Sequence, residues 1–312
     1  MSFVSRVQLR PAQYRWFALV AFVSMILIIL TGAAVRLTGS GLGCPDWPTC
    51  FKHSYSATWT IHSKIEFANR LVTIVLVVAT VVIFLSSFLR RPYRRDLSWL
   101  AGLLILGVVL DAVLGAYVVY SKLNPWLVSL HLLLSLAMVV VGAILYHRSK
   151  YLYGPGARVD VRDRHFLALA RLLWIPFVVL LVTGTMTTGS GPHAGGSQGQ
   201  LEARRLPFAF SSAAWVHSVA ATLFVGLVLG LLLTIWRTAA PRPLQLGVRR
   251  LVIITLVQGI IGVTQYLTHV PALLVELHVA GATSLTIGVT QFHLRQSAHD
   301  REPSIARRTP SA

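Results

Sequence analysis

Eight apolar stretches, each about as long as a bilayer is thick, constrain this chain more than any other feature. They run Trp16–Val35, Ile65–Phe88, Leu100–Val119, Leu127–Tyr146, Leu169–Thr187, Ser212–Ile235, Leu251–Thr268 and Ala272–Phe292. In hydrocarbon every backbone N–H and C=O must be paired within the segment, so such runs cross as helices. The sequence predicts an all-α polytopic membrane protein with eight transmembrane helices. Only 12% of the residues are charged, about half the share of a soluble domain. The first run has no A-x-A cleavage site after it and reads as a span, not a signal peptide.

The net charge of +18 suggests nucleic acid until its distribution is considered. The basic residues fall in short clusters between spans, which is a topology signal and excludes a nucleic-acid partner. With the N-terminus in the cytoplasm, every Lys and Arg is on the inside except Arg36, Lys52, Lys64, Arg70, Lys122, Arg204 and Arg205. Both termini are therefore expected in the cytoplasm, in a multi-pass protein of the cell membrane. The outside loops at 37–64 and 188–211 are long, and those after helices 3 and 7 are short.

A polar segment beginning Gly154-Pro-Gly-Ala-Arg divides the chain into two halves. Residues 1–150 form the first four-helix half, 151–165 a cytoplasmic linker, 166–295 the second half and 296–312 a cytoplasmic tail. The halves repeat. Thr31-Gly32 and Thr38-Gly-Ser-Gly41 return as Thr183-Gly184 and Thr188-Gly-Ser-Gly191. Gly115 and His131 are spaced as Gly262 and His278 are, with Asn124-Pro125 and Val270-Pro271 between them. A four-helix unit repeated four helices later keeps its direction, so the halves are parallel repeats about an axis along the membrane normal. Helix 2 matches helix 6 more loosely, through Trp59 and Asn69-Arg70 against Trp215-Val-His217.

The histidines give this frame its chemistry. His217 and His278 lie at matched depth, roughly 8–9 Å below the outer ends of helices 6 and 8 at 1.5 Å per residue. A lone membrane histidine is usually a hydrogen-bonded packing residue, but two at one depth in one bundle suit the two faces of a heme. Small residues at Ala280-Gly281-Ala282 leave room for a flat ring. In the first half His131 holds the corresponding depth, yet its expected partner on helix 2 is Asn69, a poor iron ligand. His62 lies two turns further out on the same face. The first pocket is expected to be heme-sized, with His131 alone or His131 and His62 on the iron, and to suit a bound substrate.

Glu66 and Arg70 stand at i and i+4, the favourable order for an ion pair. Alone they read as an anchor at the membrane edge. Cys44 and Cys50, the only cysteines, lie on the oxidising side and read as a disulfide stapling a lid. A metal site with His53 is under-liganded, and no C-x-x-C-H motif for covalent heme exists. His193, Arg204 and Arg205 lie in the second long loop, where the arginines are either solvated or paired with propionates. Asp111 and its counterpart Gln258 read as interhelical hydrogen-bonding groups, with a proton path as the alternative. Glu276 points away from the face of His278.

Taken together, Thr38-Gly-Ser-Gly-Leu-Gly-Cys-Pro-Asp-Trp-Pro-Thr-Cys50, Ile65-Glu-Phe-Ala-Asn-Arg70, Leu123-Asn-Pro-Trp-Leu-Val-Ser-Leu-His131, Trp215-Val-His217 and Glu276-Leu-His278 resemble the heme A synthase family over nearly the whole chain. The resemblance implies oxidation of the C8 methyl of heme O to a formyl group, by two hydroxylations and loss of water. It implies heme b as cofactor on His217 and His278, substrate heme on His131, and Glu66 as the catalytic carboxylate, with Asn69, Arg70 and His62 around the substrate pocket. It also implies the Cys44–Cys50 outer-loop pair. The expected partners are the enzyme supplying heme O, an electron-transfer partner, terminal oxidase assembly factors, the lipid bilayer and a second copy in a homo-oligomer. This chain departs from the family's E-x-x-H-R pattern by placing Asn69 where many members have histidine, and its second outer loop lacks the cysteine pair of some members. The competing readings are a two-heme electron-transfer cytochrome, which needs four good ligands, a non-enzymatic heme-handling protein and a solute transporter.

Overall fold

All eight apolar runs are helices in the computed structural model, which describes residues 8–44, 46–47, 49–50, 60–154, 159–161, 163–196, 204–238 and 240–298. The helices are α1 (Pro11–Leu37), α2 (Ile61–Leu89), α3 (Arg95–Tyr120), α4 (Pro125–Ser149), α5 (Arg164–Leu172), α6 (Trp174–Ser190), α7 (Phe210–Arg237), α8 (Arg242–Leu267) and α9 (Ala272–Leu294). Helices α5 and α6 form one crossing. The interruption at Leu173 lies just before Pro176, which has no N–H to give to the carbonyl of residue 172. The helices outrun the apolar runs at their ends, most of all α8, whose first turns carry Arg242, Arg249 and Arg250. The protein is a multi-pass membrane protein.

The outward faces confirm the solvent. Ile74, Val75, Val78 and Leu85 on α2 and Ile253, Leu256, Ile260 and Val263 on α8 are more than half exposed. In water this surface would be costly, whereas in hydrocarbon it is neutral. Inside, the buried side chains gather in two clusters. One comes from α1–α4 around Tyr14, Met25, Ile83, Leu104 and Val139. The other comes from α5–α9 around Phe177, Phe224, Leu231, Val248 and Phe292. They meet where α4 packs on α6 and α9, and α1 on α9.

Two turns share an unusual backbone. Lys122 and Leu123 between α3 and α4 have φ of 54° and 61°, and His269 and Val270 between α8 and α9 have 59° and 63°. Left-handed conformations cost non-glycine residues roughly 1–2 kcal/mol each. Both turns recover hydrogen bonds in the same pattern, Leu123 N–H to Val118 O and Val270 N–H to Gln265 O, each at 2.8 Å. Leu123 and Val270 are buried, which fixes the entry of α4 and α9 and so the placing of His131 and His278.

The loops at this end are joined across the clusters. Arg36, at the end of α1, donates from Nε to His193 O and from Nη2 to Thr188 O, both at 2.8 Å. Gly41 N–H reaches Gly195 O at 3.0 Å, and His193 Nε2 donates to Val270 O at 2.8 Å. At the opposite end, arginines tie the loop carbonyls after α2 and α4, and one in the last turn of α4. Arg90 donates to Pro92 O, Tyr151 O and Leu152 O, and Arg94 to Arg148 O and Tyr151 O while paired with Asp96.

The linker and tail are less independent than their polarity suggests. Strand β1 (Val159–Val161) pairs in parallel with β2 (Gln296–Ala298), so the fold carries one small two-stranded element beside its helices. The remainder of the tail, the first seven residues, Trp59 and linker residues 155–158 lie outside the described residues.

Candidate functional site

In the second half, the site begins with Thr183 on α6. Its hydroxyl lies 2.8 Å from Val179 O, one turn back, so its single proton is directed there. His217 Nδ1, 3.1 Å away, is then the donor, and the Nε2 lone pair of His217 is left for a ligand. A partner that fixes one imidazole nitrogen in this way is the usual support of a metal-bound histidine. His278 on α9 stands opposite. The two ring centroids are 6.3 Å apart and the planes make an angle of 73°. Two imidazoles on opposite sides of one metal, with bonds of about 2.0–2.1 Å as in zinc sites, place their centroids about 6 Å apart.

Glycines make room for these rings. A Cβ added at Gly184 would meet His217 Cε1 at 3.1 Å, and one at Gly262 would meet His278 Cε1 at 3.0 Å. Among the described residues no cluster of three or more His, Cys, Asp and Glu could hold a bare ion. Two opposed histidines suit an iron whose other four positions a macrocycle fills, so the residues fit heme. The 73° between the rings poses no obstacle, since each imidazole rotates about its own metal bond. Glu276 is turned elsewhere, with Oε2 shielded and unpartnered among the described residues.

The first half follows the same plan with different groups. Thr31 Oγ1 lies 2.7 Å from Asn69 Oδ1, in the place of the Thr183–His217 pair. Gly32, the counterpart of Gly184, has nothing within 4 Å of an added Cβ. The place that the His217 ring takes beside Gly184 has no counterpart beside Gly32 among the described residues. In the place of Gly262 and His278, a Cβ added at Gly115 would meet Cε1 of His131, on α4, at 3.5 Å. Its Nδ1 lies 2.8 Å from Asp111 Oδ1, and Asp111 Oδ2 accepts from Ser135 Oγ at 2.6 Å. Asp111 is thus interhelical, as expected, but its attachment to His131 was not foreseen. Their spacing of 20 residues across a turn gave no local signal. Gln258, its counterpart, donates to His278 O at 2.8 Å.

His62, Glu66 and Arg70 are organised around the loop after α1. His62 Nδ1 is 3.0 Å from Ser40 Oγ, which in turn is 2.8 Å from Thr38 Oγ1. Glu66 is 5% exposed. One carboxylate oxygen accepts Cys44 N–H and the other accepts Arg70 Nη2, each at 2.7 Å. Arg70 also donates from Nη1 to Asp46 O and Thr49 O at 2.7 Å and from Nη2 to Cys44 O at 3.0 Å. All four terminal N–H groups are accounted for, which disfavours a propionate there. The Cys44–Cys50 disulfide closes this loop, and Tyr120 Oη donates to Trp47 O at 3.1 Å. The membrane-edge pair is therefore the floor of a stapled loop and not a headgroup anchor. Arg204 and Arg205 are exposed, as solvated charges are, and His193 is committed to Val270. His53 lies outside the described residues.

The chain is similar to known proteins over most of its length. Residues 15–290 match the family model COX15-CtaA, cytochrome oxidase assembly protein. A heme A synthase from Lysinibacillus sphaericus is 34% identical over 123 residues, covering 39% of this chain and 40% of that protein. One from Geobacillus thermodenitrificans is 29% identical over 135 residues, 42% of this chain and 43% of that protein. One from Shewanella oneidensis is 27% identical over 186 residues, 54% of each. The chain thus spans between two fifths and about half the length of these curated relatives.

Proposed function

The chain belongs to the heme A synthase family, the cytochrome oxidase assembly proteins whose family model it matches, and from that premise we propose that it oxidises the C8 methyl of heme O to the formyl group of heme A. The observation that carries the reading is the opposed pair His217 and His278, 6.3 Å apart, set beside a first-half site in which the residue matching His217 is Asn69. One site has the ligands of a permanent cofactor. The other leaves one face of a heme open, as a substrate that must enter and leave requires.

In this reading His217 and His278 hold heme b, which supplies one-electron transfer when bound. His131 holds the iron of heme O. Glu66, at the border of the substrate site, is the carboxylate that stabilises positive charge developing at the methyl carbon and takes up released protons. Arg70 and Cys44 N–H keep it in place. The disulfide loop shields the site from water, and Asn69 and His62 line its α2 side. Conversion proceeds through two hydroxylations, each a two-electron oxidation whose electrons leave to the electron-transfer partner and whose protons are released, and the resulting geminal diol loses water to give the formyl group. The enzyme supplying heme O, an electron-transfer partner and oxidase assembly factors are the partners this activity requires, and a homo-oligomer is compatible with the exposed apolar helix faces.

The disulfide end of the bundle faces outward and both termini face the cytoplasm, because Lys and Arg concentrate at the other end. The halves 1–150 and 166–295 are parallel repeats, joined by linker 151–165 and followed by tail 296–312. The paired left-handed turns and the Thr31–Asn69 and Thr183–His217 contacts support that relation. Asn69 in the place of a fourth ligand, held by Thr31, argues against a two-heme electron carrier. The test is pigment analysis: membranes containing the protein and a heme O source should yield heme A. Heme O alone in the extract, from protein that has bound heme b, overturns the proposal.

A further inference from the structure

Resting on the assignment of His131 to the substrate iron, we propose that Asp111 is a positioning residue that makes His131 a carboxylate-backed ligand, in compensation for the histidine that α2 lacks at position 69. Asp111 lies within α3 and is buried at 8% exposure. A carboxylate inside a membrane helix is costly and marks function unless it is paired. Its two oxygens are divided between two residues one turn apart on α4: Oδ1 is 2.8 Å from His131 Nδ1, and Oδ2 accepts from Ser135 Oγ at 2.6 Å.

Oδ1 and Nδ1 are each shielded, their 2.8 Å approach is not aligned as a hydrogen bond, and neither atom has another hydrogen-bond partner among the described residues. They are one another's only close partner of opposite polarity. The His131 side chain is 41% exposed, and since Nδ1 is shielded, that exposure belongs to the rest of the ring. With the imidazole turned so that Nδ1–H meets the carboxylate, the tautomer is fixed and Nε2 is left for iron. Hydrogen bonding of this kind raises the basicity of the ligating nitrogen.

The second half lacks this device. Gln258 stands four residues before Gly262, as Asp111 stands four before Gly115. It is neutral, and it reaches the backbone carbonyl of His278, not the ring. The anionic backing is therefore confined to the half in which Asn69 takes the place that His217 has in the other. A strongly donating single ligand holds iron firmly from one side and leaves the side near Asn69 and Gly32 open. Two good histidines at the other site need no such support.

The test uses the full chain in detergent, loaded with heme b and then with heme O, in wild type and in Asp111→Asn, Asp111→Glu and His131→Ala variants. The readouts are the ferrous iron–histidine stretching vibration and the reduction potential of the first-half heme. Asp111→Asn should shift the vibration to lower frequency and the potential upward, Asp111→Glu should restore part of both, and the low-spin spectrum of the His217–His278 heme should be unchanged. An unshifted vibration and potential in Asp111→Asn, with heme O bound and His131→Ala abolishing the vibration, overturns the inference alone. A vibration that survives His131→Ala overturns the assignment of His131 on which it rests.

Discussion

Thr31 Oγ1 lies 2.7 Å from Asn69 Oδ1, so the threonine that would support a histidine on α2 supports an amide. In the other half the corresponding hydroxyl lies 3.1 Å from His217 Nδ1. On the proposed assignment, this position separates the cofactor site from the substrate site, and an added Cβ at Gly32 would meet nothing within 4 Å.

Asn69→His should therefore supply a fourth axial ligand. The first-half heme is expected to become six-coordinate and low-spin, heme O to dissociate more slowly, and heme A yield to fall. Absorption and electron paramagnetic resonance spectra of heme O-loaded protein check the coordination. A high-spin spectrum unchanged by the substitution would remove position 69 from the ligand set.

Four glycine-to-alanine substitutions should separate by available space. Gly262→Ala and Gly184→Ala bring a Cβ within 3.0 and 3.1 Å of the imidazoles of His278 and His217, tighter than ordinary contact. Both should lower the heme b retained per protein. Gly115→Ala, at 3.5 Å from His131, should be tolerated, and Gly32→Ala, with nothing near, should be neutral apart from any gain in helix propensity. Heme-to-protein ratios after purification measure the order.

Glu66→Gln should leave heme b bound while conversion of heme O stops or nearly stops. Arg70→Ala acts differently, because it leaves Glu66 buried without its cation and frees three loop carbonyls. Removing one partner of a buried ion pair costs about 3–5 kcal/mol, so this variant should melt at clearly lower temperature in detergent. Unchanged thermal stability of Arg70→Ala would show that the loop is held by other contacts, and undiminished heme A from Glu66→Gln would remove Glu66 from the chemistry.

The Cys44→Ser, Cys50→Ser double variant separates a staple from a redox pair. Closing so short a loop contributes about 2 kcal/mol, and Glu66, Arg70 and Tyr120 still hold the loop when the bond is gone. Heme A formation should persist at a reduced level. Complete loss of conversion with both hemes bound would assign the cysteines a chemical role.

The sequence alone determined the eight crossings, the positions of His131, His217 and His278, the gap at Asn69 and the proximity of Cys44 to Cys50. These are local properties: hydropathy is summed over about 20 neighbouring residues, and the motifs return in order along the chain. Only the tertiary structure decided how each helix is turned. On α3, Leu97, Leu104 and Val108 are buried while Leu103, Leu106 and Val109 face outward, and nothing in their chemistry separates them. In water a polar face would mark the exposed side. In lipid both sides are apolar, so helix rotation is set by packing and by a few polar contacts. For that reason the pairing of Asp111 with His131, the attachment of Glu66 and Arg70 to the disulfide loop, and the choice of Nδ1 as donor in His217 were hidden until the helices stood side by side.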